Sequence, residues 1–437
     1  MSDAIQEAVL SIDFSLDRLD VALQAPPGAW VWPHRAFANN WPGYLALKQE
    51  LLAYLEQHPS TRLTAVGEST GLYWWHTFQQ LEQDPALAAY QPSLALLNAK
   101  HVKHFRKALS ERDKSDMLDP QLIGLYYQLN GCDHPYRPQP GYQRLRFLTR
   151  AYCRLIHTLA AEKASCQSLV YLRASEYQRR PPFSDIFGVT SQQCLDEFQD
   201  IAAFADLPVD RLAEQLKTFS GNHLPSPQDN VQRLLEVAQN SFPVEAALQE
   251  VLYLVFKLSL QRIRFLEDQK QTLRRLIEQE LGRFPEADLL LAELGFGSIL
   301  VAGILSEIQD TRRFTTGLKF DRKRKKMRPR TYRDGQAAVA KLAGLWWPKR
   351  DSGRFQSQDH HLSRERNPYL RYWFVQSAYA LLRFRKDYQA YYSRKYSEAH
   401  KHPHKRALML TARKSVRLAF ALLHKGQRLR LKEVVDH

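Results

Sequence analysis

The run Ala8-Val9-Leu10-Ser11-Ile12-Asp13 is short and apolar, and it ends in a carboxylate. Leu63-Thr64-Ala65-Val66-Gly67-Glu68 has the same form further along the chain. Short apolar runs of this kind are typical of buried β-strands. Residues 19–24 and 30–37 alternate like half-buried strands, and residues 93–98 form another apolar run. The sequence therefore predicts five strands, two of which end in an acidic residue.

The order of these strands and the helices between them predicts the fold. Short turns join the first three strands, which favours an antiparallel meander. Helical patterns at residues 41–57 and 71–81 separate the later strands, which favours parallel pairing through right-handed crossovers. This is the order of a ribonuclease-H-like mixed sheet in an α/β domain. In such a sheet the first and fourth strands are neighbours, so we expect Asp13 and Glu68 to lie side by side.

A second pair of carboxylates follows the fifth strand. Asp116 and Asp119 are three residues apart, so a helix would present both on one face. The plain alternative is a solvated helix start, where the helix dipole favours acidic residues. Together with Asp13 and Glu68, however, the pair forms a set of four carboxylates that suits a hard divalent cation such as Mg²⁺.

The rest of the chain reads as helical. Long helical patterns at 142–179 and 246–281 bracket shorter helices, as in an antiparallel coiled-coil arm or an ordinary helical core. A Gly-x-Gly turn within 290–305 fits a helix-hairpin-helix element or a plain apolar helix pair. We predict three domains, whose residue ranges are 1–135 for the α/β domain, 136–285 for the helical arm and 286–437 for a mostly helical C-terminal domain.

The charge of the chain indicates a polyanionic partner. The net charge is +16, and residues 311–437 contain 33 Lys and Arg against 9 Asp and Glu. Nucleic acid fits such a basic surface, although a basic run is more often a solvated loop. The candidate nucleic-acid contacts are Lys100, Lys103, Arg322, Lys323, Arg324, Lys325, Lys326 and Arg371.

Other features exclude several classes of protein. The first residues have neither the basic nor the apolar region of a signal peptide, and no apolar run is long enough to span a membrane. The four cysteines lack metal-type spacing and are expected to be reduced thiols, so we predict a cytoplasmic protein. The His-rich segment 399–404 is expected to be a solvated loop rather than a metal site.

The motifs resemble a family of bacterial insertion-sequence transposases, the bridge-RNA-guided serine recombinases with a RuvC-like DEDD domain. The N-terminal motifs that carry the resemblance are Ser11-Ile12-Asp13-Phe14-Ser15, Val66-Gly67-Glu68-Ser69-Thr70-Gly71, Leu97-Asn98-Ala99-Lys100-His101-Val102-Lys103 and Lys114-Ser115-Asp116-Met117-Leu118-Asp119-Pro120. The C-terminal motifs are Gly295-Phe296-Gly297, Glu307-Ile308-Gln309-Asp310, Leu342-Ala343-Gly344-Leu345, Ser352-Gly353 and Asn367 with Leu370-Arg371. Residues 316–333 look like a basic insertion relative to the family.

The resemblance implies a function for the whole chain. Asp13, Glu68, Asp116 and Asp119 would bind Mg²⁺, and Ser352 in the C-terminal transposase domain would be the nucleophile. The DNA partners would be a donor and a target, selected by an element-encoded guide RNA. A homo-oligomer, a dimer or a tetramer, would act at the bacterial nucleoid.

Two other hypotheses for the function compete with the recombinase. In the first, the carboxylates serve a metal-dependent, structure-selective nuclease of the junction-resolvase kind, and Ser352-Gly353 is only a turn, as most Ser-Gly pairs are. In the second, the ribonuclease-H-like domain is inactive and the protein only binds nucleic acid. A covalent protein–DNA adduct separates the recombinase from both alternatives.

Overall fold

The computed structural model describes residues 6–69, 71–109, 118–132, 139–199, 201–293, 295–321, 324–348, 361–364 and 366–426. They form two compact units. The first unit combines residues 1–140 with 310–338, and the second combines 141–309 with 339–437. The predicted three-domain division remains a prediction. No helix among the described ranges has both the length and the apolar character needed to cross a membrane.

The first unit contains the predicted mixed sheet. Its strands are β1 (Gln6–Phe14), β2 (Arg18–Gln24), β3 (Trp30–Ala38), β4 (Thr61–Glu68) and β5 (Ser93–Leu97). They lie in the order β3-β2-β1-β4-β5, with β1–β2–β3 antiparallel and β1–β4–β5 parallel. This topology confirms the predicted α/β fold and the neighbouring positions of the first and fourth strands.

Helices cover both faces of the sheet. The helices of this region are α1 (Trp41–Leu55), α2 (Trp75–Gln83), α3 (Ala99–Ala108) and α4 (Leu118–Asn130). Because side chains alternate along a strand, Leu10 and Ile12 pack with α1 and α2, whereas Val9 packs with α3 and α4. α2 begins later than predicted, because Gly71 adopts a positive φ of 55° that a right-handed helix does not use.

A small antiparallel hairpin and one further helix complete the first unit's later segment. The strands are β6 (Leu318–Asp321) and β7 (Lys326–Pro329). They are followed by α12 (Tyr332–Leu342), which continues into the second unit. The sequence did not predict these strands, because the basic run between them conceals any apolar alternation.

Two long antiparallel helices dominate the N-terminal part of the second unit. They are α5 (Pro140–Arg173) and α9 (Ala246–Leu281). Lys163 pairs with Glu267 at 2.7 Å, and Arg144 pairs with Glu280 at 2.8 Å, as expected for helices that run in opposite directions. Between them lie α6 (Val189–Glu197), α7 (Val209–Phe219) and α8 (Pro227–Asn240). This confirms the predicted pair of long helices that brackets a smaller helical region.

The C-terminal part of the second unit is helical, as predicted. Its helices are α10 (Ala287–Leu291), α11 (Ser298–Ile308), α13 (Pro368–Phe384), α14 (Lys386–Ser397) and α15 (Pro403–Lys425). α11 and α13 pack closely, because a Cβ at Gly303 would collide with the Trp373 indole. The four cysteines are all free thiols, three of them buried.

Candidate active site

The carboxylates predicted at the strand ends lie on one face of the sheet. β1 and β4 pair in parallel up to the residues directly before Asp13 and Glu68. These two carboxylates are therefore side by side at the carboxyl edge of the sheet. Val9 lies four residues before Asp13 and Val66 lies two residues before Glu68, and both pack with α4. Because side chains alternate, Asp13 and Glu68 face the side of the sheet that α4 covers.

Asp119 reaches the same face from the first turn of α4. It is buried, with 6% of the residue exposed. α4 lies close to β1, because a Cβ built on Gly124 would be 3.0 Å from Ser11 Oγ. Arg106 of α3 forms an ion pair with the Asp119 carboxylate. The fold therefore brings three of the four predicted carboxylates to one face, and Asp116 lies outside the described residues.

These donors suit a hard divalent cation in their chemistry. All are carboxylate oxygens, the ligands that Mg²⁺ prefers. Across the described part of the chain, no three His, Cys, Asp or Glu side chains are close enough to hold a metal ion. The Arg106 guanidinium provides the positive charge beside Asp119 instead. A metal ion on Asp119 would have to compete with Arg106, and Asp116 remains a predicted ligand.

The predicted nucleic-acid-binding lysines of α3 are exposed. Lys100 and Lys103 are separated by one helical turn. Asn98 caps this helix, and its side-chain oxygen accepts a hydrogen bond from the Lys100 backbone N–H at 3.0 Å. Capping fixes where the helix begins and therefore where both ammonium groups emerge. Their contact with nucleic acid remains a prediction.

The described part of the predicted basic run belongs to the β6–β7 hairpin. Arg324, Lys325 and Lys326 are exposed there, and Lys325 has a positive φ of 50°. Arg322 and Lys323 belong to the same run but lie outside the described residues. The hairpin therefore carries three of the predicted contacts as exposed residues, Arg324 and Lys325 directly before β7 and Lys326 at its first position.

Asp334 anchors the base of this hairpin. Its carboxylate accepts hydrogen bonds from Arg328 at 2.6 Å, Lys319 at 2.8 Å and the Thr331 hydroxyl at 2.8 Å. The Arg328 contact, with those of Lys319 and Thr331, holds the pKa of Asp334 well below its usual range despite the partial burial. Two basic side chains are thus neutralised at the base, whereas those at the turn remain exposed.

Arg371 is bound to the protein's own backbone. Its Nε donates to the Ala343 carbonyl oxygen at 3.1 Å, and its Nη2 donates to the carbonyl oxygens of Gly344 at 2.5 Å and Ser363 at 2.9 Å. Burial, with a smaller effect of Arg366, lowers the pKa of Arg371 to about 10, so the guanidinium stays charged at neutral pH. These contacts give Arg371 a structural role, and its predicted contact with nucleic acid is untested.

The same contacts hold the chain on both sides of the segment that contains Ser352. Ser352 falls within residues 349–360, which lie outside the described residues. The backbone N–H of Ser363 donates to the Trp346 carbonyl oxygen at 3.0 Å. Arg371 also joins the two sides, because it binds Gly344 before the segment and Ser363 after it. The ends of the segment are therefore fixed to each other and to α13.

Two family models match the chain. The IS110 DEDD transposase model matches residues 10–172, a range that includes all four predicted carboxylates. The model of the transposase IS116/IS110/IS902 family matches residues 328–393. The chain is an insertion-sequence transposase with a DEDD domain. No curated protein matches it.

The match argues against the hypothesis of an inactive nucleic-acid-binding protein, because a transposase moves DNA by phosphoryl transfer. The DEDD domain also indicates that the transposase uses a divalent metal ion, without identifying it. The models name no nucleophile and no guide RNA.

Glu307 lies in one of the motifs that carry the family resemblance, without a predicted role, and the structure shows that it is a buried charge of the transposase. Glu307 on α11 has a fully buried side chain and accepts hydrogen bonds from Arg150 at 2.6 and 3.0 Å and from Asn367 at 2.7 Å. Arg146 pairs with it at 3.1 Å. Asn367 also caps α13 through a hydrogen bond from the Leu370 N–H at 3.1 Å. This network joins α5, α11 and the start of α13, one turn before Arg371.

Glu68→Gln is expected to slow DNA cutting by the transposase by roughly 100-fold or more. The amide keeps the shape of the side chain but removes the negative charge that would hold a metal ion beside the scissile phosphate. We expect a higher divalent-metal concentration for half-maximal cutting. The measurement is the single-turnover rate as a function of MgCl₂.

The matched control for Glu68→Gln is Asp17→Asn, which changes an exposed carboxylate in the β1–β2 turn at the same sheet edge. We expect this variant to cut at the wild-type rate. If both variants lost the same cutting rate, the total negative charge at this sheet edge would matter, and Glu68 would have no specific role as a metal ligand.

Proposed function

We propose that this transposase is an RNA-guided DNA recombinase that cuts DNA through attack by Ser352. The proposal rests mainly on the placement of Asp13, Glu68 and Asp119 on one face of the sheet. Carboxylates grouped beside a DNA phosphate require a compensating cation. Mg²⁺ held by these residues and Asp116 would polarise the scissile phosphate and stabilise the charge that develops during transfer.

Ser352 would supply the oxygen that attacks phosphorus. The phosphodiester bond to the leaving strand breaks, the leaving oxygen takes up a proton, and the serine hydroxyl loses its proton to a neighbouring base or to water. The other DNA end is then held as a phosphoserine ester. A hydroxyl group of a new strand attacks this ester, releases the serine and rejoins the DNA without an external energy source.

The exposed basic residues support contact with nucleic-acid backbones. Lys100 and Lys103 on α3, and Arg324 to Lys326 on the hairpin, could neutralise phosphates and release counterions. Such contacts carry little sequence information. Base pairing with an element-encoded guide RNA would then select the donor and target DNA, and the protein would hold the strands.

A seam on α9 supports a homo-oligomer. Five exposed apolar residues of α9 recur at alternating three- and four-residue steps, with one step of seven, and they are Leu248, Val251, Val255, Leu258 and Phe265; Leu254 and Leu276 are also exposed on this helix. This is the spacing of a coiled-coil seam, which needs a second helix to cover it. The opposite side of α9 is already buried, through Phe256, Leu260 and Ile263. A second copy of α9 would cover the seam with an identical pattern.

Leu258→Glu is expected to shift the transposase toward a monomer, because a carboxylate in the middle of an apolar seam would lose its hydration on association. Sedimentation velocity over a range of protein concentrations measures this shift. Leu172→Glu is the control, since Leu172 is 54% exposed and Leu258 is 56% exposed. An unchanged oligomer in Leu258→Glu would place the interface elsewhere.

A metal-dependent nuclease without a covalent intermediate is the second candidate. The carboxylate face supports it, because carboxylate-bound metal ions can also activate water for hydrolysis of a phosphodiester. In that case Ser352 would be a turn residue and the products would be free cut ends.

A denaturing gel separates the two candidates. Wild-type protein purified with its RNA is mixed with labelled donor DNA, target DNA and Mg²⁺. We expect a slowly migrating, protease-sensitive adduct, and mass spectrometry of its peptides should place the nucleotide on Ser352. Cut DNA without an adduct would favour the nuclease. If RNase treatment leaves the amount of adduct unchanged, the serine nucleophile is supported and the guide RNA is not required for cutting.

A further inference from the structure

The second unit contains an open cleft of about 490 Å³. Its lining comes from α5, α9, α13, the first turn of α11 and the glycine turn before it. One face of α13 contributes Tyr372, Gln376, Tyr379 and Arg383, which recur at three- and four-residue steps. The volume falls within the roughly 300–1,000 Å³ that is usual for ligand sites.

We propose that this cleft binds an unpaired nucleotide of a DNA or RNA strand. The base would stack on the aromatic side chains, and its phosphate would lie near Arg383. The inference requires only that the transposase handles nucleic acid, and it does not depend on the serine chemistry or on a metal ion.

The aromatic side chains provide the stacking surface. Tyr379 is 46% exposed, with its hydroxyl 3.5 Å from His404 Nε2, and Phe384 is 51% exposed, so part of each ring is accessible to a ligand. Tyr152 and Trp373 are buried and form the inner part of the lining. Aromatic rings bind unpaired bases because every base offers a π-face, whereas the bases of a duplex are already stacked on each other.

The charge of the cleft favours a phosphate over a neutral apolar ligand. Arg274 and Arg383 line it, and no acidic residue does so among the described residues. Arg383 stacks over the Phe384 ring at 5.4 Å and forms no ion pair within the described chain. Arg274 is held at the cleft by Glu278, at 3.2 Å. Glu278 also accepts a hydrogen bond from the Ser298 hydroxyl at 2.7 Å, so we assign the phosphate to Arg383.

Gly295 packs directly against the Phe384 ring. It has a positive φ of 86°, and a Cβ there would collide with the Phe384 ring. The first glycine of the Gly-x-Gly turn is thus needed for close packing against the cleft. Gln376 lies between the aromatic positions and could donate to or accept from the edge of a base.

The test compares single-stranded with duplex binding. The probes are a fluorescein-labelled 20-nucleotide DNA strand of mixed sequence, the RNA of the same sequence, and the DNA duplex, all in EDTA with protein freed of its own nucleic acid. Tyr379→Leu should weaken binding of at least one single strand by roughly 10-fold and change duplex binding less than about two-fold. Tyr379→Phe keeps the ring and should bind like the wild type.

Tyr171→Leu is the matched control, because Tyr171 is 49% exposed on α5 and does not line the cleft. Arg383→Gln should reduce the slope of log Kd against log salt by about one phosphate contact. If Tyr379→Leu weakens binding of one single strand more than the other, the more affected strand, RNA or DNA, is the ligand of the cleft. Equal losses for duplex and single strand, or no loss in both Tyr379→Leu and Phe384→Leu, would overturn the proposal.

Discussion

Ser352→Ala is expected to abolish the covalent protein–DNA adduct and to reduce strand exchange by roughly 10³-fold or more, because the change removes the attacking oxygen. Binding of DNA and RNA should remain unchanged, since alanine leaves the basic residues in place. The adduct is measured on a denaturing gel, and strand exchange is measured with labelled donor and target DNA. The position of the melting transition checks that the variant folds.

Ser357→Ala provides the control for this experiment, because Ser357 is the other serine of residues 349–360. We expect it to form the adduct at the wild-type level. Loss of the adduct in Ser357→Ala alone would move the nucleophile to that residue. An active Ser352→Ala enzyme that still cuts DNA would support the metal-dependent nuclease, in which water attacks the phosphate.

The sheet and its carboxylates could be predicted because their signals are local. An apolar run that ends in Asp13 or Glu68 specifies a buried strand with a polar end, and the lengths of the connections restrict how the strands pair. Because side chains alternate along β1 and β4, the pattern also determines on which face of the sheet Asp13 and Glu68 lie. The Arg106–Asp119 ion pair could not be predicted, because it depends on how α3 and α4 pack.

The hairpin and the backbone contacts of Arg371 could not be predicted for a different reason. In the basic run, charge conceals the two-residue period that would indicate strands, and Asp334 compensates two of the charges from the following helix. The sequence predicts Arg371 as a nucleic-acid contact, and that prediction stays open. Only the packed structure shows that its guanidinium binds the carbonyl oxygens of Gly344 and Ser363.

Glu307 shows most clearly what a sequence cannot provide. A single acidic residue stands out in the apolar helix Ser298–Ile308, and this was the available signal. Its partner Arg150 is 157 residues away in the chain. No local pattern relates two positions at that separation, so the network could be found only from the fold.

Glu307→Gln is expected to destabilise the second unit by about 3–5 kcal/mol at neutral pH, the usual cost of removing one partner of a buried ion pair. Burial by itself would raise the pKa of Glu307, but Arg146, Arg150 and Asn367 outweigh it and hold the pKa below its ordinary value of 4.5. The charged carboxylate therefore stabilises the folded state above about pH 4.5, and this contribution is lost as the pH falls through the lowered pKa.

Urea unfolding at pH 7 and at lower pH measures the difference between variant and wild type, which should be largest at pH 7 and shrink in acid. Glu398→Gln is the control: its side chain is 50% exposed beside Lys395, and we expect it to change the free energy of unfolding far less than Glu307→Gln does. If Glu307→Gln cost no more than this control, the network would contribute little to stability, and the two arginines would find sufficient hydration without their carboxylate.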